Sequence, residues 1–234
     1  MRRSVEIEPV LTDAFNRIVL AMEKAITERK IICIVSPSGI GFKFAAKRFA
    51  MKHYLKIIYS NVEASGSIQE VFCSIDNKLS NIGFSNIDRR NCSLHQLTLK
   101  INERVQSNDC CLLIVDNCNL TPGQLRYFIR FLNNFNKKIG LVFRMSTTYH
   151  HKLKKWKKWE GLYTKLYKVV DGWKGLDELT EDELIDICKS NGVKDEMIIS
   201  DLIKVSNGDL SVMKKDMSRY FELKAKDEYE SQKS

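Results

Sequence analysis

IICIVSPSGIGFKFAAKRFAMKH, residues 31–53, decides how the rest of the chain is read. Ile31–Ser36 is an apolar run of strand length, as expected of a strand buried on both faces. Ser36-Pro37-Ser38-Gly39-Ile40-Gly41 then gathers turn residues, and Lys43 to His53 reads as an amphipathic helix. A strand, a glycine-rich loop and a helix in that order form the context in which a phosphate-binding loop becomes credible. Gly39 and Gly41 leave backbone N–H groups free to point at an anion at the helix N-terminus.

The same alternation runs outward from this stretch. Leu11, Phe15, Ile18, Met22 and Ile26 recur at helical spacing before it. After it come strands from Lys56 (KIIYSNV), at 111–116 (CLLIVD) and at 138–145 (KIGLVFRM). Helical patterns lie between them, around Ile68, Val71, Phe72, Ile75 and Leu79, and around Leu94, Leu97, Ile101 and Val105. Thr121-Pro122-Gly123-Gln124 opens a further helix with an N-cap, an N1 proline and a capping-box glutamine. Strands that are apolar throughout and alternate with helices imply a parallel sheet covered on both faces. A break falls near Gly172–Gly175, and beyond it the patterns are helical only. Thr180-Glu181-Asp182-Glu183 is another capping box, further helices run near Met197–Val205 and Leu210–Leu223, and KAKDEYESQKS reads as a frayed tail. The expected division is 1–30 as an N-terminal helical segment, 31–174 as an α/β core, 175–223 as a helical appendage and 224–234 as the tail.

Composition narrows the class. The chain has 234 residues, 44% hydrophobic and 29% charged, as in an ordinary globular protein. No apolar run approaches the roughly 18 residues a membrane span needs, and no apolar stretch follows Arg2-Arg3 as in a signal peptide. The seven cysteines are scattered, mostly in apolar runs, and form no CxxC; with four histidines they make no metal pattern, so reduced thiols in a cytoplasmic protein are expected rather than zinc. Net charge is +9. Nine basic residues (Arg144, Lys152, Lys154, Lys155, Lys157, Lys158, Lys165, Lys168, Lys174) against Glu160 and Asp171 put +7 of it between Arg144 and Lys174. So one-sided a stretch favours a polyanionic partner, nucleic acid first. HHKLKKWKKW (His150–Trp159) also fits a solvated helix face, with Trp156 and Trp159 three apart on the core side and the lysines snorkelling around them.

Taken together, the glycine-rich loop, the strand Leu112–Asp116 followed by Asn117, the Thr-Pro-Gly-Gln helix start and the pattern from Leu176 to Val212 resemble an AAA+ P-loop ATPase. Among these the chain looks most like the MuB/TnsC-type helpers of DNA transposition, over roughly residues 10–222. The resemblance implies a P-loop NTPase core with a small C-terminal helical lid. It implies ATP or ADP at Ser38, Gly39, Ile40, Gly41, Phe42, Lys43 and Phe44, with magnesium at Asp116, the Walker B position. It implies as partners double-stranded DNA, a transposase and further copies of the chain. The charge excess, a separate argument from the residues, puts the expected DNA contacts at Lys152, Lys154, Lys155, Lys157 and Lys158.

The departures from the family pattern bear on turnover. Ser36 replaces the first glycine of GxxxxGK[ST], and Phe42-Lys43 stand where Lys-Thr belongs. A loop lysine neutralises phosphates and the following hydroxyl binds magnesium. One position late, Lys43 is rotated by about 100° on the helix, and its ammonium would repel a metal. Asn117 replaces the catalytic glutamate; an amide can hold a water but cannot accept its proton. Ser211 stands in place of the lid's sensor arginine, and no arginine occurs between Arg144 and Arg219 to act in trans. Very low hydrolysis is therefore expected. Two alternatives stay open: an active ATPase whose Lys43 still reaches the phosphates, and a scaffold that binds neither nucleotide nor DNA. Asp116 fits a structural cap as well as a remnant metal ligand.

Overall fold

The computed structural model describes residues 12–53, 57–62, 67–79, 93–107, 111–135 and 137–231, without the side chains of 53, 106, 107, 157, 158, 160 and 227–231. Leu11, Cys92 and Cys110, which entered the sequence argument, lie outside them. The chain divides into two compact units, one of Arg17–Pro37 with Lys43–Leu176, the other of Met1–Asn16, Ser38–Phe42 and Asp177–Ser234.

In the larger unit, helix α1 (Asp13–Thr27, entering from the smaller unit) precedes β1 (Ile31–Ser36) and α2 (Phe42–His53). Then follow β2 (Ile57–Asn61), α3 (Ile68–Leu79), α4 (Leu94–Ser107), β3 (Leu112–Asp116), α5 (Pro122–Asn134), β4 (Gly140–Ser146), α6 (Thr147–Lys155), α7 (Lys157–Val169) and β5 (Gly172–Gly175). The sheet is parallel throughout, in the order β2-β3-β4-β1-β5. The inner strands β1 and β3 are buried along their whole length, and β4 up to Met145. This is why they read as continuous apolar runs rather than alternating ones.

Ile31, Cys33, Val35, Leu113, Val115, Leu141 and Phe143 share one core with Phe72, Phe128 and Phe131 of α3 and α5. The alternating residues Ile32, Ile34, Leu112, Ile114 and Val142 are buried too, on the opposite face, and α1 and α2 bury Ile18, Met22, Ala25, Ala45 and Phe49. At Gly140 a Cβ would overlap the backbone of Ala25, so this glycine admits α1 to the start of β4. α5 starts as its sequence requires: Thr121 caps Gln124 N–H, Gln124 returns to the Thr121 N–H, and Pro122 occupies the first turn.

Two features of the larger unit differ from the sequence reading. Gly172–Gly175, read as a break, is the edge strand β5, paired with β1 from Ile32↔Gly172 to Val35↔Gly175. Asp171 enters it by accepting the Ile31 N–H (2.8 Å), and Arg17 donates to the Gly175 carbonyl (2.7 Å). With two glycines among four residues, two half-buried and two exposed, this strand carries no apolar run to read. The second difference is at Trp156, where the helix is interrupted in extended backbone (φ −88°, ψ 115°). Trp156 and Trp159 therefore do not share a helical face: Trp159 is buried and Trp156 is 51% exposed.

In the smaller unit, α8 (Glu181–Ser190), α9 (Glu196–Ser206) and α10 (Leu210–Ser231) follow one another. Thr180 and Glu183 form the expected capping box, and Asp195 caps α9. Asn207, in the left-handed region at φ 47°, ends α9. α10 continues to Ser231. Leu184, Ile187, Val193, Ile199, Met213 and Met217 are buried. Among the described residues no helix is long and apolar enough to cross a membrane.

Candidate nucleotide site and basic surface

The glycine-rich loop, Ser38–Phe42, belongs to the smaller unit. Gly39 and Gly41 have φ of +74° and +83°, values that favour glycine. Ile40 and Phe42 are buried and Ser38 is exposed. Phe42, at the position of the family's lysine, is buried, while Lys43 and Phe44 are exposed as α2 begins. Asp209 lies directly over the loop. Its Oδ1 accepts the N–H groups of Ser211 (2.8 Å) and Val212 (3.4 Å), capping α10, and the Leu210 N–H donates to the Gly39 carbonyl (3.0 Å). A Cβ on Gly39 would overlap the Asp209 carboxyl group. The loop thus has two left-handed glycines, a carboxylate beside it and a buried phenylalanine rather than a lysine at position 42.

The end of β3 lies in the larger unit. Asp116 is buried, and its carboxylate is surrounded by donors. Oδ1 accepts from Arg144 Nε at 2.5 Å and from the Asn117 N–H at 2.7 Å; Oδ2 accepts from the Tyr59 hydroxyl. Arg144 Nη2 donates to Asn117 Oδ1, and Nη1 to the Pro37 carbonyl at 3.4 Å. Asn117 has a left-handed backbone (φ 55°), which turns the chain off the sheet so that the Cys118 N–H meets the Arg144 carbonyl at 2.7 Å. Burial, and after it the Asp116 carboxylate, push the Tyr59 phenol well above its ordinary range, so it remains a donor.

The sequence reading counted Arg144 in the charge of the basic stretch Arg144–Lys174. Here it is 7% exposed on an inner strand and ion-paired, so it leaves the basic surface. The signal was available: Arg144 is the one charged residue inside an apolar strand, and such a charge is buried only with a partner.

The remaining basic residues do form a surface in the larger unit. Tyr149 and Leu153 bury one side of α6, with the Tyr149 hydroxyl on the Leu120 carbonyl (2.7 Å) and the Trp159 ring against Tyr149 (5.8 Å between centroids). Lys152, Lys154 and Lys155 are exposed, and no carboxylate pairs with them among the described residues. Lys152 Nζ lies over Trp156 (6.0 Å) and Lys154 Nζ over Tyr163 (5.9 Å). Lys157 and Lys158 open α7, and their side chains lie outside the described residues. His150 packs against Trp173 (5.4 Å) and Tyr163 (5.8 Å). Burial first, then the Lys154 and His151 charges, push its pKa down to about 4.

This architecture is that of the AAA+ P-loop NTPases, and archaeal Orc1/Cdc6-type AAA+ ATPases share it. The Orc1 protein of Aeropyrum pernix, solved in complex with DNA, superposes with a TM-score of 0.70 at 13% identity, covering 94% of this chain and 61% of that one. The Orc2 protein of the same organism, in ADPNP–ADP complexes, gives 0.57 at 13% identity over 86% and 59%. Cdc6p of Pyrobaculum aerophilum gives 0.59 at 16% over 80% and 51%. The chain thus spans between half and about three fifths of the length of these three proteins. No protein-family model matches the chain, and no curated protein matches it in sequence.

Proposed function

We propose that this chain is a duplex-DNA-binding accessory protein on an AAA+ scaffold, one that holds ATP or ADP weakly and turns it over very slowly. The observation that carries the reading is how the basic residues of the Arg144–Lys174 stretch divide. Arg144 turns inward onto Asp116, while Lys152, Lys154 and Lys155 face outward with no acidic partner among the described residues. The outward set suits a polyanion, and lysine contacts read phosphates rather than bases. That the Orc1 structure contains DNA supports DNA over other polyanions, and the Orc2 complexes support a nucleotide at Ser38–Phe44. For turnover, Asn117 in place of a carboxylate base, the buried Phe42 and the Asp209 carboxylate beside Gly39 all count against it.

The finer reading is that of a transposition helper: a protein that assembles with further copies on duplex DNA and recruits a transposase. It rests on the sequence motifs. The test is fluorescence anisotropy with two unrelated duplexes across a salt series. Equal affinity for both and a steep log–log salt slope are expected; no binding at low salt would leave the scaffold alternative.

A further inference from the structure

We propose that Arg144 takes, within the chain itself, the place that a divalent cation takes at a Walker B aspartate, so that the end of β3 carries a fixed guanidinium and accepts no magnesium. The inference deepens the low-turnover half of the reading above and rests on it.

Four observations carry it. First, an ionised carboxylate offers about four lone-pair sites, and three on Asp116 are filled, by Arg144 Nε, the Asn117 N–H and the Tyr59 hydroxyl. A metal bound there would have to displace the guanidinium or sit against its charge. Second, Arg144 cannot simply swing aside. It lies on β4 between β1 and β3, its neighbour across β1 is Ile34, and its carbonyl is held by the Cys118 N–H. Its other nitrogens reach Asn117 Oδ1 and the Pro37 carbonyl. Leaving would strand two buried charges. Third, the described residues offer no ready-made metal site: Lys43 stands where the family's metal-binding hydroxyl belongs, and no group of three or more His, Cys, Asp or Glu able to take a metal occurs among them. Fourth, the charge balance is already closed, since Asp116 and Arg144 sum to zero without an ion.

The residues at the end of β3 therefore do not fit magnesium. A guanidinium stays protonated and has no open coordination position, so it activates no water as a metal does.

The test uses the full chain without nucleotide or DNA, so its outcome is independent of whether either binds. Mn2+ is titrated as the paramagnetic stand-in for magnesium, with bound ion read by electron paramagnetic resonance and stability by thermal unfolding. Wild type should bind no Mn2+ specifically at millimolar concentrations, with a melting temperature indifferent to it. Arg144→Gln should melt lower by on the order of 10 °C, as expected for a buried pair with one partner removed. Mn2+ should recover part of that loss, with one ion bound per chain. The double variant Asp116→Asn/Arg144→Gln should lose less and ignore Mn2+.

One Mn2+ bound by wild type and lost in Asp116→Asn would overturn the proposal. So would an Arg144→Gln variant that is destabilised yet indifferent to Mn2+, since Arg144 would then be an ion pair and nothing more. If Arg144→Gln does not fold, the wild-type titration and the double variant decide. A folded double variant beside a silent wild type supports the substitution, and an unfolded double variant overturns it. Failure of the DNA reading would appear in the salt series and leave this result standing.

Discussion

Replacing Lys152, Lys154 and Lys155 together with glutamine should weaken duplex binding by an amount that the geometry of α6 sets. The three residues lie in its last turn, and at about 100° per residue Lys152 and Lys155 fall about 60° apart on one side. Lys154 points away from that pair and over the Tyr163 ring. One duplex lying along the helix therefore takes phosphate contacts from two of the three. Each neutralised phosphate contributes about −0.9 to the log–log salt slope, so the slope should become shallower by about 1.8. Between 50 and 200 mM salt, wild-type affinity should then fall about twelve-fold more than that of the variant. Anisotropy titrations on two unrelated duplexes at four salt concentrations measure this, with circular dichroism to confirm folding. The loss should be the same on both duplexes. A variant with the parental slope would show that these lysines do not meet phosphates and would refute the reasoning.

Three further outcomes follow from the packing. Gly39→Ala must force a residue with a Cβ into φ +74° and push the Asp209 carboxyl off its cap. It should cost on the order of 2–3 kcal/mol in thermal unfolding, and an unchanged melting temperature would contradict the Asp209–Gly39 contact. Thr121→Ala removes the α5 cap and should cost about 1 kcal/mol, with urea midpoints as the measure. His150 is held neutral in the fold with a pKa of about 4 against an ordinary 6.5, so between those values the unfolded chain binds the extra proton. This contribution to stability is present in full above pH 6.5 and is lost as pH falls toward 4. In His150→Phe the acid limb of the melting curve should flatten across that window, and an identical limb in both proteins would remove His150 as its cause.

Much of the fold was legible because its inner strands are buried on both faces. IICIVS and LLIVD had to be apolar throughout, and the sequence shows it. The caps at Thr121 and Thr180 were equally legible, because a capping box is a local contract between residues three apart. What could not be read depended on distant partners. Arg144 counted as one more positive charge until β3 and β4 lay side by side. β5 has no pattern of its own, since its four residues are ordered by β1. Trp156 and Trp159 obeyed helical spacing in sequence, but the helix is interrupted at Trp156. In the loop, the sequence told that Phe42 and Lys43 break the family pattern. Only the structure shows Phe42 turned inward and Asp209 resting on Gly39.

Phosphate release from labelled ATP with magnesium, measured with saturating duplex on a sample free of contaminating ATPases, tests the central claim most directly. The duplex should be bound while release stays at background with and without it. Release at a rate ordinary for AAA+ ATPases, stimulated by the duplex and abolished by Lys43→Ala, would contradict it.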